Sequence, residues 1–214
     1  RWWLFSGDTA SYSAVNDAET WTGSDAGSIQ IDRGSGDVTG VTVFMGNLFI
    51  FKRRKIFRML PTSNLKETAV REVSHIIGTA GHFTVAEARG GFLMFESDNG
   101  IAGAVATSST GGFYVDNVSD RVKPLLDRRE KGLQATNWAT YNEDRDEYWF
   151  QYGTATSTPS EGIICNTARG RSSLRFTRHN RANLTAGCIY RSSGTDLQVV
   201  GNSAGKIYEM HSGD

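Results

Sequence analysis

The residues with the most obvious chemistry are charged, and their densest group is a run of four basic residues. Lys52, Arg53, Arg54 and Lys55 follow the apolar stretch LFIF and precede a second apolar alternation. Such a run can contact DNA phosphates or an acidic patch on a partner protein. It can also be the solvated tip of a hairpin, where Lys and Arg protect a strand end against edge pairing. We expect the solvated tip and keep the contact as the alternative.

A second basic group lies in the stretch CNTARGRSSLRFTRH at 165–179. Alternation along one strand would put Arg169, Arg171 and Arg175 on a common face. There they could bind phosphate or the carboxylates of a neighbouring subunit. A solvated strand face explains the same pattern, and the sequence leaves both interpretations open.

Two acidic stretches, NEDRDE at 142–147 and DRGSGD at 32–37, offer carboxylates to a cation. Neither has the alternating order of a calcium loop, so we expect solvated turns. The HExxH, GxSxG, GxGxxG and GKT or GKS patterns do not occur, and the four histidines have no ligand-like spacing. We predict a protein that is not an enzyme, with no catalytic residue, cofactor or metal.

The two cysteines, Cys165 and Cys188, show no CxxC spacing. Two cysteines are too few for a disulfide framework, which favours a reducing compartment. We expect both to be buried free thiols.

Overall charge and length narrow the function further. The 214 residues include 23 Lys plus Arg and 23 Asp plus Glu, so no net charge steers the chain onto nucleic acid or an anionic membrane. No apolar run approaches the roughly 20 residues that cross a bilayer, and we expect a soluble protein without a membrane segment. Because the sequence opens with Arg in an apolar stretch, we also expect a processed or incomplete chain.

The sequence repeats one hairpin pattern. The segments LFIFKRRKI from Leu48, FLMFESDNGI from Phe92 and LQVVGNSAGKI from Leu197 each have a strand core, a polar turn and a return strand. A fourth copy, NWATYNEDRDEYWFQY, occupies 137–152. Multi-stranded repeats about 45 residues long are typical of propeller blades.

We therefore predict an all-β fold, a single β-propeller domain at 1–214 with about five blades, of which the first and the last are incomplete. The predicted blades are 1–37 (partial), 38–79, 80–134, 135–181 and 182–214 (partial). One short helix is expected near 119–131, with Ser119 as its N-cap. A β-sandwich is the alternative, because strand number alone does not separate the two folds.

The order of several motifs resembles that of propeller-bearing virion proteins of tailed bacteriophages. The motifs are NDAETW (16–21), GSGDVTG (34–40), NLFIFKRRKIFRM (47–59), IIGTAGHFTV (76–85), GGFLMFESDNGI (90–101), VSDRVKPLL (118–126), YWFQY (148–152) and GNSAGKIYEM (201–210). They span nearly the whole chain. The sequence departs from the family pattern at SSLRF (172–176), where a Trp-containing motif is expected.

The resemblance implies a structural protein of the virion, such as a tail nozzle, tail tubular or DNA-stabilisation component of a short-tailed phage. Its partners would be other copies of itself in a ring, an adaptor or other tail proteins, and double-stranded DNA in transient passage. It would be made in the host cytoplasm and act in the virion. Alternatives are a cellular protein-interaction scaffold or a glycan-binding or receptor-binding propeller. The aromatic residues that could stack on sugars are Trp2, Trp3, Trp21, Trp138 and Trp149.

Overall fold

The computed structural model describes residues 1–60, 68–107, 112–154, 161–179 and 184–210. Within these ranges the chain forms five antiparallel sheets, numbered here in chain order. Sheet 1 contains β1 (Trp3–Ser6), β2 (Thr9–Tyr12) and β3 (Gly27–Gln30). Sheet 2 contains β4 (Val38–Phe44), β5 (Asn47–Lys52), β6 (Ile56–Met59) and β7 (Val70–Ser74). Sheet 3 contains β8 (Ala86–Ala88), β9 (Phe92–Ser97), β10 (Gly100–Thr107) and β11 (Gly112–Asn117).

The last two sheets complete the described structure. Sheet 4 contains β12 (Trp138–Asn142), β13 (Glu147–Tyr152), β14 (Glu161–Asn166) and β15 (Arg175–His179). Sheet 5 contains β16 (Leu184–Ser192), β17 (Thr195–Asn202) and β18 (Ile207–Glu209). In every sheet, strands that follow one another in the sequence are neighbours. The strands of each sheet lie inside one of the five predicted segments, which also contain the residues outside the described ranges.

The one short helix predicted near 119–131 is present, and it occupies only part of that range. The α-helix α1 spans only Lys123–Leu126, between 3₁₀ turns at Asp120–Val122 and Lys131–Thr136. Ser119 does not cap it with its side chain. Its hydroxyl oxygen instead accepts a hydrogen bond from the Ile101 N–H at 2.8 Å, which attaches this segment to β10.

The second strand of each four-stranded sheet is apolar on both faces. On β5, Phe49 and Phe51 pack toward sheet 3, whereas Ile50 and its neighbour Leu48 pack toward sheet 1. Because successive side chains of a strand point to opposite faces, this pattern requires a sheet on each side. The continuous apolar runs of the hairpin repeats therefore reflect strands that lie between two sheets.

Four apolar clusters fill the four boundaries between consecutive sheets. Between sheets 2 and 3, the rings of Phe51 and Phe95 lie 5.1 Å apart and those of Phe49 and Phe113 lie 4.8 Å apart. Between sheets 3 and 4, Tyr148 is fully buried. Five stacked sheets exclude the β-sandwich alternative for the described residues, because a sandwich has two.

The first strands of the sheets approach one another. The first strand of sheet 4, β12, contacts β8 of sheet 3 and β16 of sheet 5. The first strand of sheet 2, β4, contacts the 3₁₀ turn His82–Thr84 that precedes β8. His82 is the first residue of that turn.

Substitution of Phe51 by Ala is expected to remove about 3–5 kcal/mol from the free energy of unfolding, because the ring is fully buried between sheets 2 and 3. Val43 on β4 of the same sheet is 68 % exposed, and Val43→Ala is expected to change it by less than about 0.5 kcal/mol. Denaturant unfolding with an unchanged m-value measures both. Equal losses for the two variants would contradict the assigned boundary.

Candidate functional site

The first residue of the basic run, at the turn between β5 and β6, is not exposed to solvent. Lys52 is buried, and its Nζ donates a hydrogen bond to the backbone carbonyl of Asp32 at 3.0 Å. Burial lowers the pKa of Lys52, and the nearby Asp32 carboxylate opposes that shift. The prediction of a solvated tip is therefore wrong for Lys52, which instead holds the segment that follows sheet 1.

Lys55, at the other end of the run, contacts the same segment. Its Nζ lies 2.5 Å from Asp32 Oδ2 and 3.7 Å from Glu72 Oε2. The hydrogen bond with Asp32 raises the pKa of Lys55, and the same bond lowers the pKa of Asp32. These two lysines together connect sheet 2 to the chain that leaves sheet 1.

The middle two residues of the run face the other way, toward sheet 3. The Nε atoms of Arg53 and Arg54 lie 3.1 and 3.4 Å from the carboxylate of Asp98. An Arg53 Nη also donates to Gln134 Oε1 at 3.3 Å. Asp98 occupies the turn of sheet 3 that corresponds to the basic turn of sheet 2. The opposite charges of the two equivalent turns thus pair with each other.

The close approach of another backbone segment fixes the base of this turn. The Thr79 N–H donates to the Lys52 carbonyl at 3.0 Å, and a Cβ at Gly78 would lie 2.0 Å from that carbonyl oxygen. No side chain fits there, so residue 78 must be glycine. A phosphate bound at 52–55 would have to compete with Asp32 and Asp98 for cations that already have partners.

The arginines at 169–175 were predicted to share one strand face, and the structure contradicts this prediction. Arg169 lies in a turn, Arg171 lies in a 3₁₀ turn, and Arg175 begins β15. Arg171 lies over the ring of Tyr114 at 4.7 Å and 3.5 Å from Asp116, which connects sheet 4 to sheet 3. Arg169 and Arg175 are exposed. A contact of these two residues with DNA or a partner stays a prediction.

The boundary between sheets 4 and 5 is bridged in the same manner. Arg191 of sheet 5 lies 3.2 Å from Glu143, and the Asp196 N–H donates to Asp144 at 2.7 Å. The acidic run at 142–147 therefore contacts sheet 5 instead of being only a solvated turn. Each of the four boundaries has an apolar cluster together with polar bridges.

A buried ionic network lies where sheet 3 meets the helical segment. The carboxylate of Glu96, fully buried on β9, accepts hydrogen bonds from Arg129, from Gln134 at 3.2 Å and from Asn137 at 3.0 Å. Burial raises the pKa of Glu96 above its ordinary value, and the Arg129 guanidinium beside it acts in the opposite direction. No motif of the sequence indicated this cluster.

Arg129 extends the network to the turn of sheet 3. Its guanidinium donates to the carbonyls of Ser97 at 3.3 Å and Asp98 at 3.4 Å, and to that of Leu126 at 2.8 Å. Since the Asp98 side chain binds Arg53, polar contacts continue from the helical segment through the turn of sheet 3 to sheet 2.

A cavity of about 740 Å³, called here the hub cavity, lies where the first strands meet. The residues that line it are Val41, Thr42, His82, Phe83, Val85, Ala135, Thr136, Trp138, Ala139, Thr185, Ala186 and Gly187. None of these described residues is Lys, Arg, Asp or Glu. A Cβ at Gly187 would lie 2.3 Å from the Trp138 ring, so this glycine allows the indole to lie against β16.

Three of the five tryptophans considered for sugar stacking pack against other residues of the chain. Trp138 and Trp149 are buried, and Trp3 packs against the cluster between sheets 1 and 2. Trp21 is half-buried, and Trp2 is 66 % exposed. Among the described residues, no group of three or more His, Cys, Asp or Glu side chains is arranged to hold a metal. His211 lies outside the described residues.

The two cysteines differ, contrary to our expectation. Cys165 is buried between sheets 3 and 4, and burial raises its pKa from an ordinary value of 9.0 to about 12. Cys188, on β16, is exposed, so the prediction of two buried thiols is wrong for this residue.

Removal of the Arg129 guanidinium is expected to be costly, because it leaves the Glu96 carboxylate buried without its cation. We expect Arg129→Met to lower the free energy of unfolding by about 3–5 kcal/mol. The double variant Glu96→Gln/Arg129→Met is expected to lose less, because a neutral amide oxygen still accepts from Gln134 and Asn137. The control is Lys123→Ala, which breaks an exposed pair with Asp127 and is expected to cost less than about 1 kcal/mol. A double variant less stable than Arg129→Met would contradict this account.

One thiol per chain is expected to react with a thiol reagent in the folded protein, since the thiolate is the reacting species. Cys188 is expected to react, and Cys165 only after unfolding. Mass spectrometry of the modified peptides measures this.

Because the pKa of Cys165 is raised in the folded state, its contribution to stability is complete below pH 9 and is lost as the pH rises toward 12. Cys165→Ala should lack that part of the alkaline decline, and an unchanged decline would contradict it.

Comparison with known proteins assigns the chain to no family. No family model matches the chain, and no curated protein matches it either. In the described ranges, no helix is long and apolar enough to cross a membrane. The function of the chain is therefore a proposal from its sequence and its geometry.

Proposed function

We propose that the chain is a β-propeller module that acts as a structural component of a bacteriophage tail, in a nozzle or tail tube through which DNA is ejected. The five sheets are its blades. Other copies of the chain, an adaptor and other tail proteins are its partners in the virion.

The order and stacking of the sheets support the propeller arrangement. Each sheet is a meander, and each packs on the next through alternate residues of its second strand. The hub cavity is lined by first strands or the turns before them from sheets 2, 3, 4 and 5. Blades fanned about an axis have this arrangement, with their first strands innermost.

One observation carries the structural role: every boundary between consecutive described sheets has both an apolar cluster and polar bridges. Apolar clusters supply non-directional attraction. The polar bridges, such as Arg53 to Asp98 and Arg191 to Glu143, add directional contacts. Sheets held by both kinds of contact resist shear against each other. A component of an ejection conduit requires this resistance. The ordered motifs that resemble phage tail proteins point to the same role.

The ion pairs that the basic turn makes within the chain favour a DNA conduit over a protein that binds DNA tightly. Each phosphate neutralised by Lys or Arg adds salt-dependent affinity, which would retard a moving duplex. Lys55, Arg53 and Arg54 are instead paired with carboxylates of this chain. The major groove of a duplex alone is about 12 Å wide. A cavity of about 740 Å³ cannot contain such a duplex, so DNA would pass through the ring of copies.

A glycan-binding or receptor-binding module is the second candidate. The exposure of Trp2 and the uncharged hub cavity are the observations that favour it. A glycan array on the folded chain, with Trp2→Ala as the control, separates this candidate from the first. Binding that is lost in that variant would favour it.

The proposed role is tested in phage particles that encode the chain. We expect mass spectrometry of purified tails to find it in several copies, and particles that lack it to package DNA but fail to eject it. A chain absent from particles, or one that turns over a defined substrate, would overturn the proposal.

The isolated protein is expected to bind duplex DNA no more tightly than about 10⁻⁴ M at physiological salt, the weak end of the non-specific range. Fluorescence anisotropy over a salt series measures the affinity and its slope. Arg169→Ala/Arg175→Ala is the informative variant, because both side chains are exposed. Submicromolar affinity with a steep salt dependence would indicate a DNA-holding protein.

A further inference from the structure

Three charged side chains meet where the helical segment contacts sheet 4. The side chain of Glu161, the first residue of β14, is 11 % exposed. An Nη atom of Arg128, which follows α1, lies 3.0 Å from Glu161 Oε1. An Nη atom of Arg178, on β15, lies 3.3 Å from the same oxygen. We call Arg128, Glu161 and Arg178 the paired-arginine site.

Two features of the fold bring these side chains together. In sheet 4, Ile163 pairs with Arg178, so Arg178 shares a sheet face with Glu161, which lies two residues before Ile163. In the helical segment, the Glu130 N–H donates to the Gly153 carbonyl at 3.0 Å, which holds the residues after α1 against the end of β13. The two arginines therefore reach one carboxylate from two different elements.

The carboxylate of Glu161 has partners on both oxygens. Its Oε1 contacts both guanidiniums, and its Oε2 accepts a hydrogen bond from the Tyr152 hydroxyl at 3.2 Å. Burial raises the pKa of Tyr152 to about 12, so this hydroxyl keeps its proton at neutral pH. One negative charge thus meets two positive charges, and the site has an excess of positive charge.

The guanidiniums, in contrast, retain unused donors. A guanidinium has five N–H groups. Among the described residues, Glu161 supplies the one acceptor of Arg128 and of Arg178. The side chains of these arginines are 51 % and 38 % exposed. An anion in solution therefore has access to N–H groups that the chain itself does not use.

Other paired arginines of the described structure have more acceptors. Arg191 contacts two carboxylates, that of Asp196 at 2.7 Å and that of Glu143 at 3.2 Å. Arg53, in the basic turn, donates to Gln134 in addition to its carboxylate partner. An excess of guanidinium donors over acceptors distinguishes the paired-arginine site from both.

We propose that the paired-arginine site binds a phosphate group through the unused N–H groups of Arg128 and Arg178. The planar fork of N–H groups on arginine matches the oxygens of a phosphate, and a tetrahedral phosphate accepts from two such forks at once. Because Glu161 already holds both side chains in place, less conformational entropy is lost on binding. The inference goes beyond the structural role proposed above and does not depend on it.

The site is tested on the full chain with inorganic phosphate as the probe. Thermal unfolding is followed at neutral pH in sodium phosphate and in sodium chloride of equal ionic strength. Because a ligand that binds the folded state raises the unfolding midpoint, we expect the larger rise in phosphate. Phosphate also stabilises proteins by exclusion from their surface, so the measured quantity is the difference between the unmodified chain and its variants.

Two variants each remove one guanidinium. Arg128→Gln and Arg178→Gln leave the other arginine as the cation of Glu161, so the fold is expected to persist, which circular dichroism checks. We expect each variant to bind phosphate roughly tenfold more weakly, the effect of losing a hydrogen bond to a charged group. Arg191→Gln, at a half-exposed side chain outside the site, is the matched control and is expected to keep the full phosphate effect.

A second measurement identifies the source of the phosphate, because a free phosphate ion and the backbone of duplex DNA offer the same oxygens. If the site contacts the DNA backbone, Arg128→Gln reduces the salt slope of duplex binding by about one. If that slope is unchanged while binding of inorganic phosphate is weakened, the ligand is a small phosphate-bearing molecule. A single backbone contact agrees with the weak binding of duplex DNA expected above.

The proposal fails on any of three outcomes. These are an unfolding midpoint that rises equally in phosphate and in chloride, a phosphate effect that both arginine variants retain in full, and a phosphate effect that the control also loses. Failure of the site leaves the proposed structural role unaffected, since that role is tested by the composition of phage particles and their ejection of DNA.

Discussion

The structure depends on one constraint: the second strands of its three four-stranded sheets are apolar on both faces, so each of these sheets needs another sheet on each side. Phe49 and Phe51 would be exposed without sheet 3, and Ile50 without sheet 1. Stability is thus shared among neighbouring sheets, as in repeat proteins. The same constraint explains why a chain without net charge contains runs such as LFIF and FLMF.

The apolar clusters alone do not fix how far one sheet is shifted along the next, because apolar attraction has no preferred direction and flat sheets can slide over each other. The polar bridges fix that shift. Arg53 and Arg54 reach Asp98 across one boundary, and Arg191 reaches Glu143 across another. At its buried end the network includes Glu96 and Arg129, a pair whose desolvation cost limits its contribution to stability. We interpret these contacts as setting the register between sheets.

The sequence predicted the repeated hairpins because they depend on local alternation and turn composition. The turns at 52–55 and at 96–100 occupy equivalent places in the aligned hairpins, and the first is basic whereas the second is acidic. Equivalent turns of adjacent sheets lie side by side, so opposite charge in the alignment is a signal of pairing. Lys52 could not be identified as buried, since its environment is formed by Asp32, twenty residues earlier. The arginines at 169–175 were misplaced for a different reason, because alternation assumes a strand and this segment contains two turns.

The partition of charge between the interior and the edges bears on function. Charged side chains are concentrated at the turns, where they join one sheet to the next, whereas the described lining of the hub cavity has none. A chain that used its centre for catalysis or for holding a polyanion would need charge or strong donors there. This chain uses several of its charges to join neighbouring sheets, as Arg53 and Asp98 do across one boundary and Arg191 and Glu143 across another. The role proposed above is structural, and this distribution of charge supports it.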